Sequence, residues 1–200
     1  MKPNFDEEKI LLKKGFKFVA GLDEAGRGPL AGPVVAGAVV LKPELAKLLA
    51  GINDSKKLSE KQRENFYNIL TKNKKIKWGV GIVSEKIIDK INILEASKLA
   101  MQKAVKDLGC KADYLLLDGN FTINSIVRQK AVVKGDQKSI SISAASIIAK
   151  VTRDRVMQKY HKRYPKYGFN KHKGYPTEFH RQQIELFGPS EIHRKSFSWI

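Results

Sequence analysis

Phe18-Val19-Ala20-Gly21-Leu22-Asp23-Glu24-Ala25-Gly26-Arg27-Gly28-Pro29-Leu30-Ala31-Gly32-Pro33-Val34-Val35 is the stretch around which the chain is organised. An apolar run with the pattern of a buried strand delivers two adjacent carboxylates, Asp23 and Glu24. A loop of glycines and prolines follows, and a second apolar run continues to Leu41. Acids at the end of a core strand are expensive to keep unless a metal or another cation pairs with them. Gly26 and Gly28 allow a backbone to approach a ligand closely, and Arg27 stands between them. Carboxylates beside a basic loop suit chemistry on a phosphate, the acids holding cations and the loop meeting the anion. The competing reading is a strand end with a solvated Asp-Glu pair and a tight hairpin.

The 200 residues suit one domain with a sizeable core, and 42% hydrophobic content is enough to pack it. Thirty-eight Lys and Arg against 20 Asp and Glu give a net charge of +18. Such a surplus favours a polyanionic partner, nucleic acid before an anionic membrane. Solubility, or Lys/Glu enrichment for high temperature, would explain the same charge without a partner. Cys110 is the single cysteine, which excludes an intramolecular disulfide and a Cys-based zinc site and suits a reducing compartment. Residues 1–15 are charged and mixed, unlike a signal peptide. The longest apolar run is broken by Gly32, Pro33 and Gly37 and is too short to span a bilayer. A cytoplasmic protein without membrane association is expected.

Residues 1–15 read as a basic, weakly amphipathic lead-in. Residues 16–22 and 34–41 form an expected antiparallel strand pair. Pro43 opens a short helix closing near Gly51, and a polar loop then carries Lys56 and Lys57. Those lysines either meet phosphates or line an ordinary solvated loop. Ser59 with Gln62 forms a capping box for a helix to about Thr71. Residues 76–83 alternate as a third strand with Trp78, Val80 and Ile82 on one face. Two helices follow, from Ser84 and from about Asn92 to Leu108. The second carries an apolar stripe of Leu94, Ser97, Met101, Ala104, Val105 and Leu108.

Asp113-Tyr114-Leu115-Leu116-Leu117-Asp118-Gly119-Asn120 reads as a strand buried on both faces. Asp118 stands at its carboxyl end, where ligand sites lie in open α/β sheets. A turn carboxylate is the alternative. Residues 126–134 supply a fifth strand, and Gly135-Asp136 opens a long helix with Ile140, Ala144, Ile147 and Val151 inward. Pattern alone makes Asp136 the N-cap of that helix rather than a ligand. Asp154 reads as a surface acid among Lys150, Arg153 and Arg155. Beyond Tyr164-Pro165 the chain turns basic and aromatic, with helix signals over residues 176–186 and histidines suited to phosphate or surface contacts.

Together these segments resemble the type 2 ribonucleases H, in particular bacterial ribonuclease HII, over nearly the whole chain. The resemblance is carried by residues 21–34, Asp54-Ser55-Lys56-Lys57-Leu58-Ser59, Leu117-Asp118-Gly119 and Lys134-Gly135-Asp136. Further on it continues in residues 143–150, Gly174-Tyr175-Pro176-Thr177 and residues 188–197. The related HIII type carries a substantial N-terminal extension, which the short lead-in does not provide. The resemblance implies an α/β, RNase H-like fold: a five-stranded mixed sheet flanked by helices. It places a single catalytic domain over residues 1–200, the core at about 15–165 and a small helical C-terminal lobe at about 166–200.

It also implies four metal-binding, catalytic carboxylates, Asp23, Glu24, Asp118 and Asp136, overriding the cap reading of Asp136. They would hold two Mg²⁺ or Mn²⁺ ions and hydrolyse the RNA strand of RNA/DNA hybrids, leaving 3′-hydroxyl and 5′-phosphate ends. Cleavage 5′ of single ribonucleotides in duplex DNA, ribonucleotide removal and RNA primer processing are implied as well. The backbone of Gly26, Arg27 and Gly28, with Tyr175, would read the ribose 2′-hydroxyl, the group that separates RNA from DNA. Lys56, Lys57, Lys150, His193 and Arg194 would contact phosphates. Gln183-Ile184-Glu185-Leu186-Phe187 is similar to sliding-clamp docking motifs, or is simply a helix end with Ile184 and Phe187 in the core. A monomer is expected. Two rivals are a nucleic-acid-binding module without catalysis, weakened by the acids in its basic cleft, and a phosphate-loop nucleotide enzyme, which would need a Gly-Lys-Ser/Thr signature.

Overall fold

The computed structural model describes residues 2–198, so the last two residues of the expected C-terminal lobe lie outside it. In chain order the elements are α1 (Asp6–Lys13), β1 (Val19–Ala25), β2 (Val34–Val40), α2 (Glu60–Lys72), β3 (Lys77–Val83) and α3 (Glu85–Lys106). They continue with β4 (Tyr114–Asp118), β5 (Arg128–Val132), α4 (Ile140–Arg163), the short α5 (Phe169–His172) and α6 (Glu178–Phe187). The five strands make one mixed sheet in the order β3-β2-β1-β4-β5. β1 pairs antiparallel with β2 and parallel with β4, and β4 runs parallel to β5. Among the described residues no helix is long and apolar enough to cross a membrane.

That topology gathers the acids. Leu22 pairs with Leu117 across the parallel β1–β4 seam, so Asp23 and Asp118 leave the sheet side by side. β5 ends next to β4, with Asp118 opposite Val132, and the chain reaches Asp136 four residues later. Adjacent carboxyl ends of parallel strands are where an open α/β sheet leaves room for a ligand.

Helices α3 and α4 cover the two faces at close range. A Cβ at Gly21 would collide with the Ser141 backbone of α4, and one at Gly81 with the Ala100 carbonyl of α3. The third strand forms as expected, with Trp78, Val80 and Ile82 on one face and Gly79, Gly81 and Val83 on the other. Its buried positions are Gly79, Gly81 and Val83, whereas Ile82 is exposed and Trp78 and Val80 are only partly covered. A glycine carries no side chain to signal burial, so the alternation in the sequence shows the Trp78 and Val80 face, which packs on the core, and leaves the more deeply buried glycine face unmarked.

Other expectations hold or shift by small amounts. The Ser59–Gln62 capping box is present. α3 bends where the sequence asks for two helices: Asn92 takes φ 63° and its side chain accepts from the Leu94 and Glu95 N–H groups. Leu94 is exposed, but Ser97, Met101, Ala104 and Leu108 are buried. The fifth strand is shorter than expected, and Ile126 lies fully in solvent. The lead-in is an ordered helix. Its Glu8 is buried and accepts from the Ser139 hydroxyl at 2.6 Å, the Ser141 N–H at 2.9 Å and the Ser141 hydroxyl. α1 is thereby fastened to the start of α4, just after Asp136.

Candidate active site

Asp23, Asp118 and Asp136 each offer a carboxylate oxygen within 4.8 Å of the others. Asp118 accepts from the Gly135 N–H at 2.6 Å, which pulls the loop bearing Asp136 against the end of β4. Asp23 accepts from the Glu24 N–H at 2.7 Å. Asp136 occupies a single 3₁₀ turn, Gly135–Gln137, and the cap of α4 is Ser139, whose hydroxyl accepts from the Ile142 N–H. The cap reading of Asp136 is therefore wrong: three residues separate it from the helix start, and its carboxylate is left for the cluster.

Glu24 stands beside this group rather than in it. One oxygen pairs with Arg27 at 3.3 Å; the other is buried with no hydrogen-bond partner. Burial first, and then the neighbouring carboxylates, push Asp23 well above the ordinary carboxylate range. Asp136 rises to about 6, through burial, Asp118 and Asp54. Glu24 is raised by burial against the opposing pull of Arg27. Like charges crowded out of water, and an orphaned buried oxygen among them, are what a bound cation would relieve. Donors that are all carboxylate oxygen suit a hard divalent ion such as Mg²⁺ or Mn²⁺.

The cluster lies in a cleft of about 510 Å³ whose walls include Gly26, Arg27, Gly28, Lys56, Lys150 and Tyr175. Tyr175 is 40% exposed. Its ring stands 3.7 Å from where a Cβ on Gly28 would be. Lys56 faces the acids, Lys57 lies outside the cleft lining, and Lys150 bonds Asp154 at 2.8 Å. Asp154 is thus a half-buried partner rather than a free surface acid. Asp54, buried in the cleft, accepts from the Lys56 N–H at 2.9 Å. Nothing local distinguishes it in sequence from an ordinary turn aspartate.

Two expected phosphate contacts are elsewhere. His193 is 2% exposed and Arg194 is fully buried. Arg194 donates to the carbonyls of Gly26 at 2.6 Å, Arg27 at 2.9 Å and Gly32 at 3.0 Å, behind the glycine loop. A second buried guanidinium, Arg153, holds the carbonyls of Pro33 at 2.9 Å, Lys173 at 2.9 Å and Ala31 at 3.1 Å. Arg153 carries no mark in the sequence, because its neighbours on α4 are themselves charged.

His193 belongs to a hydrogen-bonded chain of rings. The Ser190 N–H donates to His193 Nδ1 at 2.8 Å, so the proton of His193 sits on Nε2 and points 3.0 Å to His180 Nε2. His180 then donates through Nδ1 to the Tyr175 carbonyl at 2.9 Å. Each ring must be neutral, and burial holds both at about 4, below the free value near 6.5. Unfolded histidines bind protons that these cannot, so this contribution is whole above pH 6.5 and is lost as pH falls through about 4. We expect about 3 kcal/mol for the pair once solvent screening is allowed for. The Hε1 resonances of His180 and His193 should stay at neutral-ring positions down to about pH 5; a midpoint near 6.5 for either ring would contradict the relay.

The ribonuclease HII family model matches residues 20–200. A ribonuclease HII of Bacillus subtilis is 52% identical over 191 residues, covering 96% of this chain and 73% of that protein. One from Chlamydia muridarum is 54% identical over 194 residues, covering 97% and 87%. The chain belongs to the ribonuclease HII family. It is a ribonuclease H endonuclease, of a class that acts on RNA/DNA hybrids. The crystal structure of ribonuclease H2 from Pyrococcus horikoshii matches with a TM-score of 0.74 at 31% identity, covering 92% of this chain and 95% of that one. The ribonuclease HII solved with PCNA from Archaeoglobus fulgidus matches with a TM-score of 0.77 at 27% identity, covering 91% and 96%. The fold is RNase H-like, and the four carboxylates stand where its parallel strands end.

Proposed function

We propose that this ribonuclease HII cuts the RNA strand of hybrids and also cuts 5′ of single ribonucleotides in duplex DNA, leaving 3′-hydroxyl and 5′-phosphate ends. The observation that carries the reading is the convergence of Asp23, Asp118 and Asp136 within 4.8 Å, facing a wall made by the glycine loop and Tyr175. These acids, with Glu24, would hold two Mn²⁺ or Mg²⁺ ions, which supply an activated water and charge neutralisation at the leaving oxygen. The chain itself orients the substrate. Lys56 and Lys150 line the cleft and receive phosphates; Lys57 adds longer-range attraction. The backbone of residues 26–28 meets the 2′-hydroxyl, and the Tyr175 ring, opposite Gly28, stacks on the following deoxyribose.

The test is an end-labelled DNA duplex with one ribonucleotide, incubated with and without Mn²⁺ or Mg²⁺. Metal-dependent cutting on the 5′ side is expected. Tyr175→Ala should lower that cleavage by about 10- to 100-fold, the scale of one lost stacking contact, with melting temperature and Mn²⁺ binding retained. Equal cutting by variant and parent would refute the role of the tyrosine. A sliding-clamp contact would use Leu186 and Phe187, which are exposed at the end of α6, while Ile184 stays in the core. A relative solved with PCNA supports that reading, and no association with a clamp in a pull-down would end it.

A further inference from the structure

Arg194 is one of two guanidiniums buried among the described residues. A guanidinium is costly to bury, and here the oxygens that receive it are backbone carbonyls of the glycine loop: Gly26, Arg27 and Gly32. Every peptide bond of the described chain is trans, so each C=O points opposite to the N–H of the next residue. Drawing the Gly26 carbonyl inward turns the Arg27 N–H outward, and drawing the Arg27 carbonyl inward does the same for Gly28. The outward side is the cleft, since residues 26–28 line it and Arg194 does not. Neither N–H donates to another group among the described residues.

We infer that Arg194 is the positioning residue for sugar discrimination. Its fork fixes two consecutive peptide planes so that the Arg27 and Gly28 N–H groups present paired donors to a ribose 2′-hydroxyl. This rests on the proposed reading that the loop meets the 2′-hydroxyl, and deepens it by naming the residue that aims the loop. The planar geometry matters as much as the charge, because one fork spans several carbonyls and an ammonium cannot. Gly26, at φ 100° and packed against Arg153, permits the tight path that brings both carbonyls to one guanidinium.

Arg194→Lys and Arg194→Gln test this, one retaining charge without the fork and the other retaining donors without charge. The measured quantity is the ratio of two constants in Mn²⁺: the inhibition constant of an all-DNA duplex over the KM for the same duplex with one ribonucleotide. Either folded variant should lose about tenfold in that ratio, the scale of an oriented hydrogen bond, while the all-DNA inhibition constant stays within about twofold. A folded variant, judged by circular dichroism and a melt above assay temperature, that keeps the parental ratio overturns the role of Arg194. If one variant does not fold, the other decides. A parent enzyme without preference for the ribonucleotide duplex overturns the ribose-reading function itself.

Discussion

Asp23→Asn should abolish cleavage, by about 10³-fold or more, and yet raise the melting temperature in EDTA. The amide keeps the volume of the side chain and an oxygen for the Glu24 N–H, which lies 2.7 Å away. What it removes is a buried charge facing Asp118, Asp136 and Glu24. Ionised or holding a proton against its ordinary affinity, that carboxyl costs the metal-free fold free energy. Its loss should add about 1–2 kcal/mol, or about 2–6 °C. The loss of rate would follow because a divalent ion contributes several kcal/mol of transition-state stabilisation and, in the proposed site, would be held in part by this carboxylate. Mn²⁺ should raise the melting temperature of the parent and leave the variant nearly unmoved, since a ligand stabilises only the state that binds it. Parental cleavage by the variant, or equal stabilisation of both proteins by Mn²⁺, would show that Asp23 is not a ligand.

Arg153→Met should destabilise the protein more than any change to an exposed lysine of the cleft. Methionine preserves much of the stem, but the carbonyls of Ala31, Pro33 and Lys173 each lose a donor in a site 1% exposed. Buried polar groups left unpaired cost about 1 kcal/mol or more each, so about 3–4 kcal/mol is expected. At this chain length that is about 10 °C in melting temperature. The consequence for activity is indirect. Arg153 joins the glycine loop to the segment leading into Tyr175, so cleavage should fall while the Mn²⁺-induced rise in melting temperature persists. Arg153→Lys should recover only part of the loss, because one ammonium cannot reach all three carbonyls. Unchanged melting of Arg153→Met would mean that water replaces the guanidinium.

The two buried arginines mark the boundary of what could be read from the chain. Periodicity located β1, β2 and β4 and put Asp23 and Asp118 at strand ends. The Ser59–Gln62 box and the break at Asn92 were legible because caps are local devices, satisfied within a few residues. Asp136 was legible only through the family resemblance. Its pattern favoured a cap, and the competing capping acceptor, the Ser139 hydroxyl, stands just three residues away. β3 was legible as a strand with Trp78, Val80 and Ile82 on one face, but the depth of its other face was not, because two glycines carry it.

The sequence by itself determined a basic protein with a carboxylate-bearing strand end, a glycine loop able to approach a phosphate, and a single cysteine that allows neither an intramolecular disulfide nor a Cys-based zinc site. Only the tertiary structure decided which charges serve the cleft and which serve the frame. Lys56 and Lys150 reach the cleft, whereas Arg153, Arg194 and His193 are withdrawn into the interior behind it. The reason is physical: the tetrapeptide around an arginine is the same whether its guanidinium meets a phosphate in water or a carbonyl in the core. The difference arises from partners that lie far away in sequence, 120 residues in one case and 168 in another.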